Sequence, residues 1–402
     1  MSEKAVFSLQ DFINPISVTS FLKDYWSERF LFLPKGVKNV QTLFSWSRVN
    51  EILTFQKLPY PKIRLMGSEG NIRRELYTLN RKIYGNSTAI EQLDIAMINH
   101  HLTEGASLVL NGVDEMDSYL RDVCQELGKK FKNHTAVNAY MAFKDKNGFP
   151  IHWDDHETLI VQIDGRKHWK VFGASRLHPL MEDIEGNSTP PATQPLFDSV
   201  LEPGDVLYIP RGFWHVVTPV NEPSLHLTFS VEPANGYNWL QSIIDQCLQH
   251  SIVRQNIPIF SDAEKINVFQ DEIKKILIKE ISSAKIENYL AKRLGQLSPL
   301  PKFSLPSSVD STKFTLPTKV RYSGITSLLQ EPPNNPELTV LAFGHDWQIA
   351  KSVRPAIEKL LRGEIATLNE LLKLTENSEF GEADRTYFFN RLLYEGFIET
   401  VN

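Results

Sequence analysis

Two histidines and one aspartate in this chain are spaced as metal ligands. In His152-Trp-Asp154 an imidazole and a carboxylate stand two positions apart, and on a β-strand such residues share a face. His215 ends the run Pro210-Arg-Gly-Phe-Trp-His, after a Glu202-Pro-Gly-Asp205 turn and an apolar strand pattern, so a later strand would deliver a second imidazole. Two imidazoles and one carboxylate leave half of a coordination sphere open, the ligand pattern of non-haem Fe(II) oxygenases. An open site implies chemistry on a co-substrate and dioxygen; a closed one would imply structural metal only. Two other histidines compete for the third position. His226 shares a strand face with Thr228 and Ser230, and His156 lies two residues past Asp154.

Three open positions call for a chelating co-substrate, and the anionic tail of a dicarboxylate needs a cation. Arg166, Lys167 and Lys170 follow the strand pattern Thr158–Ile163. Lys167 is the inward candidate if the turn at Asp164-Gly165 sets the alternation that follows it. Asn138 and Tyr140 share one face of the preceding strand and would offer polar contacts.

These residues need strands to hold them. Val137–Phe143, Thr158–Ile163, His168–Phe172, Val206–Ile209, Trp214–Val217 and Leu225–Val231 are short, β-rich runs separated by turn chemistry. That spacing predicts an antiparallel barrel or double-sheet jelly roll of the cupin kind. Residues 174–200, rich in Pro, Asn, Ser and Thr, read as a long insertion over the barrel mouth. Upstream, Thr19–Trp26 reads as a short helix capped by Thr19 or Ser20, Phe30–Pro34 and Ser107–Asn111 as strands, and Asp114–Gly128 as a core-facing helix. Downstream, Trp239–Ile252 and Ala263–Leu294 are amphipathic helical stretches, and Gly295–Pro336 is a proline-rich linker with a strand or two. Ala356–Leu361, Leu368–Leu374 and Asp384–Glu395, closed by an apolar strand, have the outline of a winged helix.

With 402 residues and 42% hydrophobic content the chain is an ordinary globular protein of two or three domains. A formal charge of −5 gives no global drive toward nucleic acid or an anionic membrane. No apolar run suggests a signal peptide or a membrane span. Cys124 and Cys247 form no CxxC, which favours a reducing, cytoplasmic compartment.

At Asn138-Ala-Tyr140, His152-Trp-Asp-Asp, Gln162-Ile-Asp-Gly-Arg-Lys167, Leu201-Glu-Pro-Gly-Asp, Pro210-Arg-Gly and His226-Leu-Thr228 the chain resembles the JmjC-type 2-oxoglutarate oxygenases, specifically the ribosomal oxygenase group. Tyr25-Trp26 with Phe30-Leu-Phe-Leu-Pro34 is similar to that group's N-terminal segment. The resemblance implies an α+β fold: a double-stranded β-helix barrel, a helical dimerisation segment and a C-terminal winged-helix domain. In this chain they would occupy residues 1–235 (core barrel about 100–235), 236–300 and 301–402.

It implies His152, Asp154 and His215 as iron ligands, with His215 favoured over His226. It further implies Lys167 on the distal carboxylate of 2-oxoglutarate, Asn138 and Thr228 assisting, and Tyr140 and Ser230 nearer the substrate. The implied cofactors are Fe(II), 2-oxoglutarate and O2. The implied reaction hydroxylates a protein or peptide side chain, with arginine or histidine of a ribosomal protein foremost and the chain acting as a homodimer. Two other functions fit the same ligands: a small-molecule oxygenase of secondary metabolism, and a metal-binding cupin without catalysis.

Overall fold

Side-chain alternation along the strands divides the first part of the chain into a packed outer face and a hollow inner one. The computed structural model describes residues 6–82, 89–146, 149–183, 189–297, 302–325, 327–331 and 335–401. It separates into two units between Pro233 and Ala234. The first unit carries strands β1 (Leu31–Leu33), β2 (Ile63–Gly67), β3 (Ser107–Leu110), β4 (Thr135–Ala142), β5 (Glu157–Asp164), β6 (Lys167–Ala174), β7 (Phe197–Leu201), β8 (Val206–Ile209), β9 (Phe213–Pro219) and β10 (Ser224–Val231). The larger sheet has the order β1-β8-β5-β10-β4-β3-β2, with the short strand Gly70–Asn71 at its edge; β7-β6-β9 make the smaller sheet. Every pairing in both sheets is antiparallel. This is the jelly roll expected from the strand spacing.

In β5, Leu159, Val161 and Ile163 join the main core with Val137, Leu227 and Phe229 of neighbouring strands. Phe12 and Phe21 from the N-terminal segments and Leu120, Val123 and Leu127 from helix α1 (Ser118–Phe131) cover that face. Burying each such side chain stabilises the fold by roughly 1.5–3 kcal/mol. The alternate residues face the other way. Ile160, Leu207 and Ile209 of the larger sheet meet Trp169, Val171 and Leu201 of the smaller one in a separate apolar layer.

Two polar devices fix the registers that the site needs. Gln162, fully buried, donates through Nε2 to the carbonyls of Asp164 and Gly165 at 2.9 and 3.0 Å, which ties the β5–β6 turn to the strand before it. At the turn before β8, Asp205 accepts from the Lys35 and Glu202 amides, both at 2.8 Å. The segment Tyr25–Ser27 is anchored separately: the Tyr208 hydroxyl donates to the buried Glu157 and accepts from the Ser27 amide at 2.7 Å.

Several expectations need correction. The helix read over Thr19–Trp26 is Val18–Asp24, capped by Ser17 rather than Thr19 or Ser20, because the Ser17 hydroxyl accepts the Ser20 amide at 3.1 Å. The helix expected from Asp114 begins at Ser118, where Asp117 accepts the Leu120 amide; residues 113–115 form only a tight turn. The insertion read over 174–200 contains a strand at its end. Its end, with Leu201, forms β7 on the edge of the smaller sheet, where Val200 is directed outward and half-exposed. Residues 184–188 lie outside the described residues.

In the second unit the helices are α2 (Gly236–Cys247), α3 (Ala263–Ser283) and α4 (Ile286–Gln296). The stretch read as one helix from Trp239 starts three residues earlier and ends at Cys247. The stretch Ala263–Leu294 breaks at Ala284 and Lys285, which are extended. Ser283 marks the break by donating its hydroxyl back to the Glu280 carbonyl at 3.0 Å, the local competition that makes serine a poor helix interior. Three further helices, α5 (Arg354–Leu361), α6 (Leu368–Leu374) and α7 (Glu382–Tyr394), and a closing strand, Ile398–Val401, stand where the sequence placed them. The hairpin Glu337–Ala342/His345–Ala350 was not foreseen. Its turn puts both Phe343 and Gly344 at positive φ, and Phe-Gly lacks the usual Asn-Gly signal.

Gly165 is at φ +59, and a Cβ there would run into the Pro223 carbonyl. Gly165→Ala is therefore expected to cost more than about 2 kcal/mol in urea unfolding. An unchanged midpoint would contradict the tight turn that aims Lys167.

Candidate metal centre and its cavity

His152 and His215 are brought together by the main chain. They form an isolated antiparallel bridge, with the His152 amide donating to the His215 carbonyl at 3.1 Å and the reverse bond at 2.7 Å. A mutually bonded antiparallel pair puts both side chains on one face, and the two imidazole rings lie 4.4 Å apart between centroids. Asp154 reaches the same point from the loop leading into β5, steadied by its carbonyl accepting the Gly212 amide at 2.8 Å. The His152–Asp154 pair is thus not held by strand alternation as the spacing suggested. His152 lies in the bridge, and Asp154 belongs to no strand.

The ligand atoms of His152, Asp154 and His215 all lie within 4.8 Å of one another. Nε2 of His152 is 4.0 Å from the Asp154 carboxylate, and Nε2 of His215 is 3.6 Å from it. Each histidine donates its Nδ1–H to the carbonyl two residues earlier, Pro150 at 2.9 Å and Phe213 at 3.1 Å. A neutral ring that donates from Nδ1 has its lone pair on Nε2. Burial pushes the His215 pKa down to about 4, against the pull of Asp154, so it is neutral at physiological pH. Burial alone would raise the Asp154 pKa, but attraction to His215, His156 and His152 outweighs it in acid and holds the carboxyl below its ordinary value. At neutral pH the short His215–Asp154 approach is therefore no ion pair. Lone pairs converge on a carboxylate, and a cation is what that arrangement lacks. The donor set, two imidazoles and a single carboxylate with no fourth protein ligand among the described residues, fits an open divalent metal site.

The ligands open into a cavity of about 360 Å³. All eight residues singled out from the sequence line it: His152, Asp154, His215, Lys167, Asn138, Thr228, Tyr140 and Ser230. The two competitors, His226 and His156, line it too without joining the ligand group. Lys167 is 3% exposed, and its ammonium donates to the Tyr140 carbonyl at 3.1 Å and meets His226 Nδ1 at 2.9 Å. Burial lowers its pKa to about 7. Burial, with Lys167 beside it, holds His226 well below its ordinary value, so His226 is a neutral acceptor at Nδ1 and turns its Nε2–H elsewhere. Tyr140 stacks on His226 with ring centroids 4.8 Å apart. Asn138 accepts the Gly112 amide at 2.9 Å. The other two cations point away: Arg166 pairs with Glu222 and Lys170 with Asp198 near the surface.

Sequence reasoning passed over Arg64, Ser107 and Trp169, which also line the cavity. Trp169 follows Lys167 by two positions, so alternation from Lys167 would have found it. Arg64 and Ser107 carried no local signal, because β2 and β3 join the sheet far from the ligand motif in sequence.

A jelly roll with an open two-histidine, one-carboxylate face defines the class, and residues 111–239 match the JmjC domain family. The chain carries a JmjC domain on a cupin fold. Among curated proteins it is similar to the bifunctional lysine-specific demethylase and histidyl-hydroxylase NO66 of Aedes aegypti, 30% identical over 263 residues covering 61% of this chain and 39% of that one. The Drosophila willistoni counterpart is 29% identical over 61% of this chain and 32% of its own length. The chain spans less than half the length of these relatives. Among solved structures, Escherichia coli ribosomal oxygenase YcfD superposes with a TM-score of 0.60 at 15% identity, covering 96% of this chain and 98% of that one. The same protein in complex with cobalt and 2-oxoglutarate gives 0.61 at 16%, covering 96% and 99%.

Manganese(II) titrated calorimetrically should distinguish the third ligand. His215→Ala is expected to weaken binding at least about 100-fold, beyond the roughly 10–100-fold cost of an outer-shell loss. His226→Ala should stay well inside that range. Equal losses in the two variants would contradict the assignment.

Proposed function

We infer that this chain is an Fe(II)- and 2-oxoglutarate-dependent dioxygenase that hydroxylates a protein side chain, with an arginine or histidine of a ribosomal protein as the foremost target. The observation that carries the reading is the convergence of two imidazoles and a carboxylate at the wall of a cavity that also holds one buried lysine. His152, Asp154 and His215 would hold the iron. When bound there, iron with 2-oxoglutarate and O2 supplies the oxidising power for C–H hydroxylation, leaving succinate and CO2. The chain's own residues provide position and a dry wall. Lys167 is assigned to the distal carboxylate of the co-substrate, flanked by Asn138 and Thr228. Tyr140 and Ser230 are assigned to the substrate side.

The buried Lys167 makes this testable by pH. Its pKa lies near 7, below the ordinary lysine value, so the ligand-free site loses the proton as pH rises through 7. Binding a carboxylate favours the charged ammonium and draws the proton back. Affinity for 2-oxoglutarate on the manganese-loaded chain should therefore fall above pH 7, by at most about tenfold per unit, with net proton uptake in buffers of different ionisation heat. The ligand-free fold should gain stability over the same window, since there only the unfolded chain still holds the proton. Flat affinity between pH 7 and 9 would remove Lys167 from the role. Turnover itself is read as succinate formed from 2-oxoglutarate with iron, lost in His152→Ala. Mass spectrometry of ribosomal proteins from cells with and without the gene should show one added oxygen atom on the target.

A second copy of the chain completes the reading. On α2, Leu240 and Ile244, with Leu248 at its C-cap, follow one another at helical spacing and are 45, 52 and 52% exposed. On α3 no residue is buried, and Val268 and Ile278 face solvent. An apolar face of this extent on two helices suits an interface, and we assign it to a homodimer. Light scattering should give twice the chain mass; the mass of a single chain would contradict it. The C-terminal helices and strands are assigned to a winged-helix-like contact unit. Cys124 and Cys247 are buried free thiols, in keeping with a cytoplasmic location. Among the described residues no helix is long and apolar enough to cross a membrane.

A further inference from the structure

Arg64 is the cavity's unexplained charge. It lies on β2 between Ile63 and Leu65, which are buried in the main core, so alternation turns Arg64 to the opposite face. Strand register carries that face across the sheet. Arg64 pairs with Val109, Val109 with Tyr140, and Tyr140 with His226. Three strand steps separate Arg64 from His226, roughly 14 Å at the usual spacing. Arg64 therefore stands on a different wall from Lys167, beyond Tyr140.

Its guanidinium has no hydrogen-bond or carboxylate partner among the described residues, and its Nε is fully buried without an acceptor. Arg48 pairs with Asp117 and Arg74 with Glu91, and Arg211, whose buried Nε is also without a partner, does not line the cavity. A donor cut off from water and left unpaired is costly, and such groups are kept where a ligand completes them. The charges of the loaded site sharpen the point. A divalent metal and the Lys167 ammonium are matched by Asp154 and the two carboxylates of 2-oxoglutarate. Arg64 remains as a surplus positive charge on the wall that the co-substrate does not use.

We propose that Arg64 is the specificity-determining residue of the substrate side of this cavity, selecting a target group that is uncharged or anionic and offers an acceptor, and rejecting a cationic one. An imidazole, a carboxamide, a carboxylate or a main-chain carbonyl meets that demand. A guanidinium or a methylated ammonium would bring a second positive charge beside Arg64 in a poorly solvated chamber, where like charges are least screened. The proposal rests on the oxygenase reading and narrows it, setting arginine aside as the target. Arg64 acts here on the substrate and leaves the distal carboxylate of 2-oxoglutarate to Lys167.

The test uses small probes whose entry needs no knowledge of the natural substrate. The full chain, loaded with manganese(II) and saturated with 2-oxoglutarate, is mixed with acetate, imidazole or tetramethylammonium, and the paramagnetic relaxation of the probe protons is measured. Acetate and imidazole should relax strongly in the wild type and tetramethylammonium should not. Arg64→Gln should reduce the acetate effect at least about threefold, a small but measurable affinity change, and should admit tetramethylammonium. Arg64→Lys, which keeps the charge, should still exclude it. The proposal is overturned if wild type admits tetramethylammonium as readily as acetate, or if Arg64→Gln leaves all the probes unchanged. Failure of 2-oxoglutarate to bind would sink the oxygenase reading instead, and the probe comparison on the manganese-loaded chain alone would still report on Arg64. Calorimetry of 2-oxoglutarate guards the remaining route: an affinity loss in Arg64→Gln matching that of Lys167→Ala would move Arg64 to the co-substrate and also end the proposal.

Discussion

The pair of main-chain hydrogen bonds between His152 and His215 is the constraint on which the site depends. It sets two imidazoles side by side regardless of what their side chains gain from each other. Their Nδ1 atoms are then occupied by the carbonyls two residues earlier in the chain, which holds the rings from turning away. Asp154 completes the arrangement at the cost of being held, half-buried, beside two ring nitrogens. That cost is recovered when a divalent cation enters, because the same lone pairs and the same charge become its ligands. The jelly roll behind them is what holds the bridge still: His215 belongs to β9, whose Phe213 and Val217 pack on the apolar layer between the two sheets.

The neighbourhood of Lys167 follows a similar logic. A hairpin that only glycine allows at position 165, tied back by Gln162, sends Lys167 inward to a wall with no carboxylate. His226 meets it as a neutral acceptor and is in turn pinned by the Tyr140 ring. A histidine that competed for the metal in the sequence thus serves the cation instead. The polar residues of the cavity form two groups with separate tasks, one around the metal and one around the lysine.

The His152-Trp-Asp154 pair, the run ending in His215, the turn before Lys167 and the strand positions were legible because each is encoded within a few residues. Spacing, turn glycines and alternation are local signals, and they survive in a single sequence. What was illegible is what long-range pairing creates. The bridge replaced the simple alternation assumed for His152 and Asp154, since only tertiary contact with β9 makes it. Arg64 and Ser107 reach the cavity through a sheet register that spans more than a hundred residues of sequence from β2 to β10. The break between α3 and α4 falls at Ala284 and Lys285, just after Ser283, in a stretch that carries neither proline nor glycine. The hairpin at Phe343-Gly344 uses a turn whose chemistry gives no warning.

The most direct measurement of the central claim is anomalous diffraction from crystals of the full chain soaked in cobalt(II). One peak is expected, at roughly 2.0–2.2 Å from Nε2 of His152, Nε2 of His215 and one carboxylate oxygen of Asp154, with no further protein atom bound. A peak coordinated by His226, a fourth protein ligand closing the face, or no ordered cobalt at the triad would contradict the account.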